Sequence, residues 1–203
     1  MSLLRQWFGP SRKEIWQDLC GKIQGTYVDG GMWKGDKVQA THGEWTITLD
    51  TYVVSTGKSS VSYTRLRAPY VNPDGFRFTV SRKGFFSEIG RLLGMQDVDV
   101  GHAPFDEDFV IKGNDEAKLK VLFDDDRLRQ LIEAQPAVLF TVKDDEGYFG
   151  PHFPEGTDEL SFMAMGIIKD TEQLKQLFAL FSETLDQLCR MGSAYRDTPG
   201  VSL

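Results

Sequence analysis

Three histidines and thirty acidic side chains bound the chemistry that this chain of 203 residues could carry. His102 stands four residues before Asp106, Asp108 follows, and His152 lies later in a loop beside Glu155 and Asp158. Imidazole and carboxylate ligands in such numbers can hold a divalent cation that activates water, so a metal-assisted hydrolase using His102, Asp106, Asp108 and His152 is one reading. The spacing matches neither a zincin helix nor a zinc ribbon. The run from Pro104 to Gly113 also lacks the alternating oxygens, central glycine and terminal glutamate of a calcium loop. Capping or solvation is the favoured role of Asp106, Glu107 and Asp108, and no cofactor is expected.

Nucleophilic chemistry has less support. No Gly-x-Ser-x-Gly elbow is present, and neither Cys20 nor Cys189 has a histidine close in sequence to lower its pKa. Gly25, Gly30, Gly31 and Gly35 match neither the Walker nor the dinucleotide pattern, which leaves them as turn residues.

Charge distribution points to a different kind of site. Between Lys58 and Arg91 there are seven basic residues against Asp74 and Glu88, a balance of +5 on a chain whose net charge is −7. Strand alternation puts Tyr63, Arg65 and Arg67 on one face, with Arg77 opposite Phe76 and Phe78. These four residues form the candidate ligand-binding surface, suited to a protein, a phosphorylated small molecule or a lipid headgroup. A pI near 5.0 argues against nucleic acid. The competing role for the arginines is pairing with the acidic second half of the chain.

The elements that must position these groups are readable in outline. Ser11 and Glu14 have capping-box spacing ahead of Ile15, Trp16, Leu19 and Ile23, which predicts a helix from Arg12 to Gln24. Trp45, Ile47 and Leu49 alternate with polar residues, and Tyr52 to Ser55, Ser60 to Ala68 and Phe76 to Ser81 continue as strands. Connections this short imply an antiparallel meander. Phe85, Phe86, Ile89, Leu92 and Leu93 predict a helix from Lys83 to Leu93. Lys118 to Phe123 alternates in a way that favours a strand, though the alanine and lysines allow a helix; Asp124 to Asp126 cap a short helix ending before Pro136, and Ala137 to Lys143 pairs with Leu160 to Met165 around a long loop. Leu174, Leu177, Phe178, Phe181, Leu185 and Leu188 form the stripe of a long helix from Asp170 to Gly192.

The expected class is therefore α+β: a curved antiparallel sheet covered by an N-terminal and a long C-terminal amphipathic helix. Residues 1–192 form a single domain, with possible halves at about 11–94 and 95–192, and residues 193–203 a mobile tail. The N-terminus shows no secretion signal and no run is long enough to span a bilayer. Two distant cysteines suit a reduced, cytoplasmic protein. Leu3, Leu4, Trp7 and Phe8 could touch a membrane surface, but packing on their own domain is favoured.

Thr64-Arg65, Gly94 to Val98, Phe105 to Phe109 and Leu122-Phe123 together resemble uncharacterised bacterial domain families with an Arg-bearing strand and a Phe-Asp-x-x-Phe corner. That resemblance implies a bacterial cytosolic protein and a defining structural corner made by Phe105, Asp106 and Phe109, with no transferable catalytic residues. The function expected is non-enzymatic recognition of a protein or an anionic ligand. The alternatives are the hydrolase above and a homo-oligomer assembled through helix 171–191.

Overall fold

The computed structural model of the chain describes residues 10–31, 35–55, 57, 59–84, 96–144, 153–201 and 203. The first helix, α1 (Arg12–Ile23), starts where the capping box closes: Ser11 accepts from the Glu14 amide, and Glu14 reaches back to the Ser11 amide at 2.9 Å. It buries Ile15, Trp16 and Leu19, and Gln24 ends it in the left-handed conformation at φ 54°.

The chain then runs through β1 (Thr26–Val28), β2 (Lys37–His42), β3 (Trp45–Ser55) and β4 (Ser60–Val71). These four are consecutive antiparallel neighbours, so the predicted meander holds this far, and Trp45 to Ser55 is one continuous strand. β1 and β2 were not anticipated, because short strands flanked by glycines read as turns.

At β5 (Phe78–Arg82) the meander breaks. The sheet order is β1-β2-β3-β4-β9-β8-β5-β7-β6, with β6 (Gln96–Asp97), β7 (Phe109–Gly113), β8 (Leu139–Lys143) and β9 (Thr157–Met165) supplied by the second half. Residues 72–77 must therefore cross the ends of β9 and β8, a lateral step of about 14 Å at the usual strand spacing. Side-chain contacts hold the crossing: Asn72 Nδ2 donates to Asp158 at 2.6 Å, while Arg77 bridges Asp158 at 3.0 Å and Asp144 at 2.9 Å.

Four more helices lie among the described residues: α2 (Ala103–Asp108), α3 (Glu116–Phe123), α4 (Asp126–Glu133) and α5 (Thr171–Arg190). α3 replaces the strand expected at Lys118 to Phe123. Asp115 caps it by accepting from the Lys118 amide at 3.0 Å, and Leu119, Leu122 and Phe123 are buried at helical spacing while Val121 faces out. The apparent alternation there came from Lys118 and Lys120 falling either side of Leu119, with Val121 counted as an inward residue. The helix predicted from Lys83 to Leu93 falls mostly outside the described residues.

One face of the sheet carries the core. Ile47, Leu49, Leu66, Tyr70, Phe78, Val80, Phe140, Leu160 and Phe162 point to it, and α5 packs there, with Phe181 5.7 Å from Phe140 between ring centroids. The whole α5 stripe from Leu174 to Leu188 is buried within its own chain. No described helix is long and apolar enough to cross a membrane.

The segment expected to be a mobile tail is anchored where it leaves α5. Ser193 and Ala194 are buried, the Tyr195 amide donates to Val71 O at 3.0 Å, and Trp45 Nε1 donates to Tyr195 O at 3.3 Å. Backbone pairing and an indole donor hold the chain that polar composition alone would leave free.

Candidate functional site

On the sheet face away from the core, cross-strand register sets side chains into rows. One row runs Asp50, Arg65, Met163 and Leu139; the next runs Thr48, Arg67, Ser161 and Thr141. Tyr52 lies opposite Tyr63, and Met165 comes one residue after Ala164, the partner of Thr64. Alternation along β4 thus brings Tyr63, Arg65 and Arg67 to one face as the sequence suggested.

Asp50 organises the arginines. Arg65 grips it in a bidentate pair at 2.8 and 2.9 Å, and Arg67 reaches the same carboxylate at 2.5 Å. Arg67 lies 4.0 Å from Glu159, which Lys143 approaches to 3.3 Å from the neighbouring strand. Arg67 is 5% exposed and Glu159 is fully buried, so this end of the face is an internal ion network.

The other end is different. The Arg65 guanidinium lies over the Tyr52 ring at 5.1 Å, Tyr52 is 46% exposed and Met165 is 66% exposed. Val53 and Val54 are also exposed beside them. Here β3 and β4 run past their neighbours: β2 pairs with β3 only as far as Leu49, and β9 pairs with β4 from Thr64 onward. A two-stranded ribbon consequently projects from the sheet, with Tyr52, Tyr63, Arg65, Met163 and Met165 at its base.

Arg77 does not join that group. It lies beyond the opposite end of β4, committed to Asp158 and Asp144. Arg82 is likewise paired, with Asp108 at 3.2 Å, and stacks on Phe109 at 4.6 Å. Arg67, Arg77 and Arg82 therefore each meet a carboxylate of the second half, which is the structural role weighed against anion binding.

The hydrolase ligands are employed otherwise. Asp106 accepts from the amides of Val100, Gly101 and His102, each at 2.9 Å. Asp108 holds Arg82, and His102 Nε2 contacts Arg129 at 3.0 Å. His152 lies outside the described residues. Among the described residues no group of three or more histidine, cysteine, aspartate or glutamate side chains could hold a metal ion. The rings of Phe105 and Phe109 lie 4.7 Å apart at a tilt of 31°, and Phe105 also meets Phe123 at 5.8 Å, which makes the joint where α2 turns into β7.

A second constellation was invisible in the sequence. His42 Nε2 lies 2.9 Å from Asp186, and Ser182, one turn earlier on α5, lines the same cavity as His42. Ser182 makes no hydrogen bond to His42, so the nucleophile–base contact of a serine hydrolase is not formed.

Asp50, Tyr52, Met163 and Met165 were missed on this face of the sheet. Extending the Trp45, Ile47, Leu49 alternation would have placed Asp50 and Tyr52 on the outer side. No local signal could have given the β4–β9 register that adds the methionines. Compared with protein-family models, with curated proteins and with solved structures, the chain matches none.

Proposed function

We propose that the protein is a non-enzymatic recognition module that binds a protein partner through the base of the β3–β4 ribbon. The observation that carries this reading is the pair of exposed side chains Tyr52 and Met165 flanking the part-buried Arg65 on three adjacent strands. Tyrosine, arginine and methionine are enriched at protein interfaces, where a rigid ring buries area at low entropic cost and a flexible thioether adapts to the opposing surface. Commitment of Arg65 and Arg67 to Asp50 favours a protein over a small anion, since an anion would have to displace a bidentate carboxylate.

Photo-crosslinking tests the reading. A photoreactive phenylalanine analogue at Tyr52 is expected to capture a partner in cells, whereas the same analogue at exposed Lys120 on α3 is not. Adding Met165→Ser is expected to reduce the Tyr52 product. Identical products from both positions, or none from Tyr52, would count against the patch.

A further inference from the structure

We propose that the seam between the end of α1, the middle of α5 and the β2–β3 hairpin is a binding site for a small amphipathic carboxylate. A cavity of about 260 Å³ opens there, floored by Ile23, Ala40, Ile47, Phe178 and Ala179. That volume lies just below the range of about 300–1,000 Å³ common for ligand pockets, which suits an occupant of about ten non-hydrogen atoms.

The rim decides the polarity of the ligand. Lys22, Thr41, His42, Lys175 and Ser182 line it, while Asp18, Glu172 and Asp186 are the carboxylates that reach these groups. By formal charge the mouth is balanced, because Lys22, Lys175 and Arg196 face those three acids. Hydrogen-bonding capacity is not balanced. Glu172 already accepts from Lys22 at 3.1 Å, and Asp186 is held by His42 at 2.9 Å and Arg196 at 3.0 Å. Lys175 forms an ion pair with Glu172 at 3.7 Å that is too long for a hydrogen bond, so its N–H groups still lack an acceptor, and Thr41 and Ser182 make no side-chain hydrogen bond among the described residues. An ammonium and two hydroxyls are thus open to an acceptor, above an apolar floor. A carboxylate head on a short hydrocarbon body answers both. The site lies on the core side of the sheet, apart from the partner surface on the other face, and either can fail alone.

The test is a titration of the full-length, ¹⁵N-labelled chain with sodium octanoate, using octan-1-ol and octylammonium as neutral and cationic probes of the same length. Octanoate is expected to shift the amides of Ile23, Ala40 and Ala179 with a Kd on the order of 0.1–1 mM. Lys175→Glu, at a half-exposed position that leaves the core intact, is expected to weaken binding at least about tenfold. Ala179→Trp, which fills the seam, is expected to remove it. Octylammonium binding as tightly as octanoate, an unchanged Kd in Lys175→Glu, or no shifts with octanoate would overturn the proposal.

Discussion

Arg65 and Arg67 share one acceptor, Asp50, yet their burial gives them different work. The Arg67 side chain is 7% exposed and sits between Asp50 and Glu159, so removing it takes one cation from each, leaving buried Glu159 to Lys143 and Asp50 to Arg65 in a low-dielectric setting. Arg67→Ser is expected to lose about 3–5 kcal/mol in chemical denaturation. Arg65→Ser, from a site 17% exposed, is expected to lose about 1–2 kcal/mol and to act chiefly on partner binding. Equal losses would mean that both arginines are structural. Asp74 offers a pH test at the same scale. Burial works to raise its pKa but is outweighed by hydrogen bonds from Lys118, Ser193 and the Phe76 amide, so the carboxyl stays below its ordinary value. A depressed folded pKa contributes stability that is full above the unfolded pKa of about 3.9 and is lost as pH falls through the folded value. Asp74→Asn is therefore expected to be about 1–2 kcal/mol less stable at neutral pH, with the gap closing below about pH 4. A gap that persists at pH 3 would assign the loss to packing.

Among the elements, those with local instructions were readable and those that depend on a distant partner were not. α1 and α5 carry N-caps at Ser11 and Asp170 and continuous apolar faces, and both formed within two residues of the expected bounds. α3 was misread because six residues in which Leu119, Val121 and Phe123 alternate with Lys118 and Lys120 fit a period of 2, whereas the helix buries Leu119, Leu122 and Phe123 and exposes Val121. The segment after α5 shows what distant partners add, since its polar composition conceals the backbone bond from Tyr195 to Val71. Truncation after Gly192 is expected to lower the melting temperature by several degrees, whereas truncation after Arg196, which keeps those contacts, is expected to have a smaller effect. Equal shifts from both truncations would place the anchor beyond Arg196.

At the scale of the whole molecule, strand order prevents a clean division of the chain. β4 from the first half pairs with β9 from the second, and β5 lies between β8 and β7. A fragment of residues 11–94 would leave β4 with one open edge and β5 with two, exposing backbone that the sheet otherwise pairs. Such a fragment is expected to show no cooperative thermal transition by circular dichroism, while the full chain shows one. A cooperative fragment would establish independent halves. By itself the sequence determined the α+β class, the capped helices and the shared face of Tyr63, Arg65 and Arg67, because capping and side-chain alternation act within a few residues. Only the tertiary structure decided that β9 lies beside β4, that Arg77 and Arg67 pair with carboxylates of the second half, and that Tyr52, Arg65 and Met165 stand on three adjacent strands. Strand register is set by pairings about 100 residues apart in the chain, and no local pattern encodes which edge a strand will find.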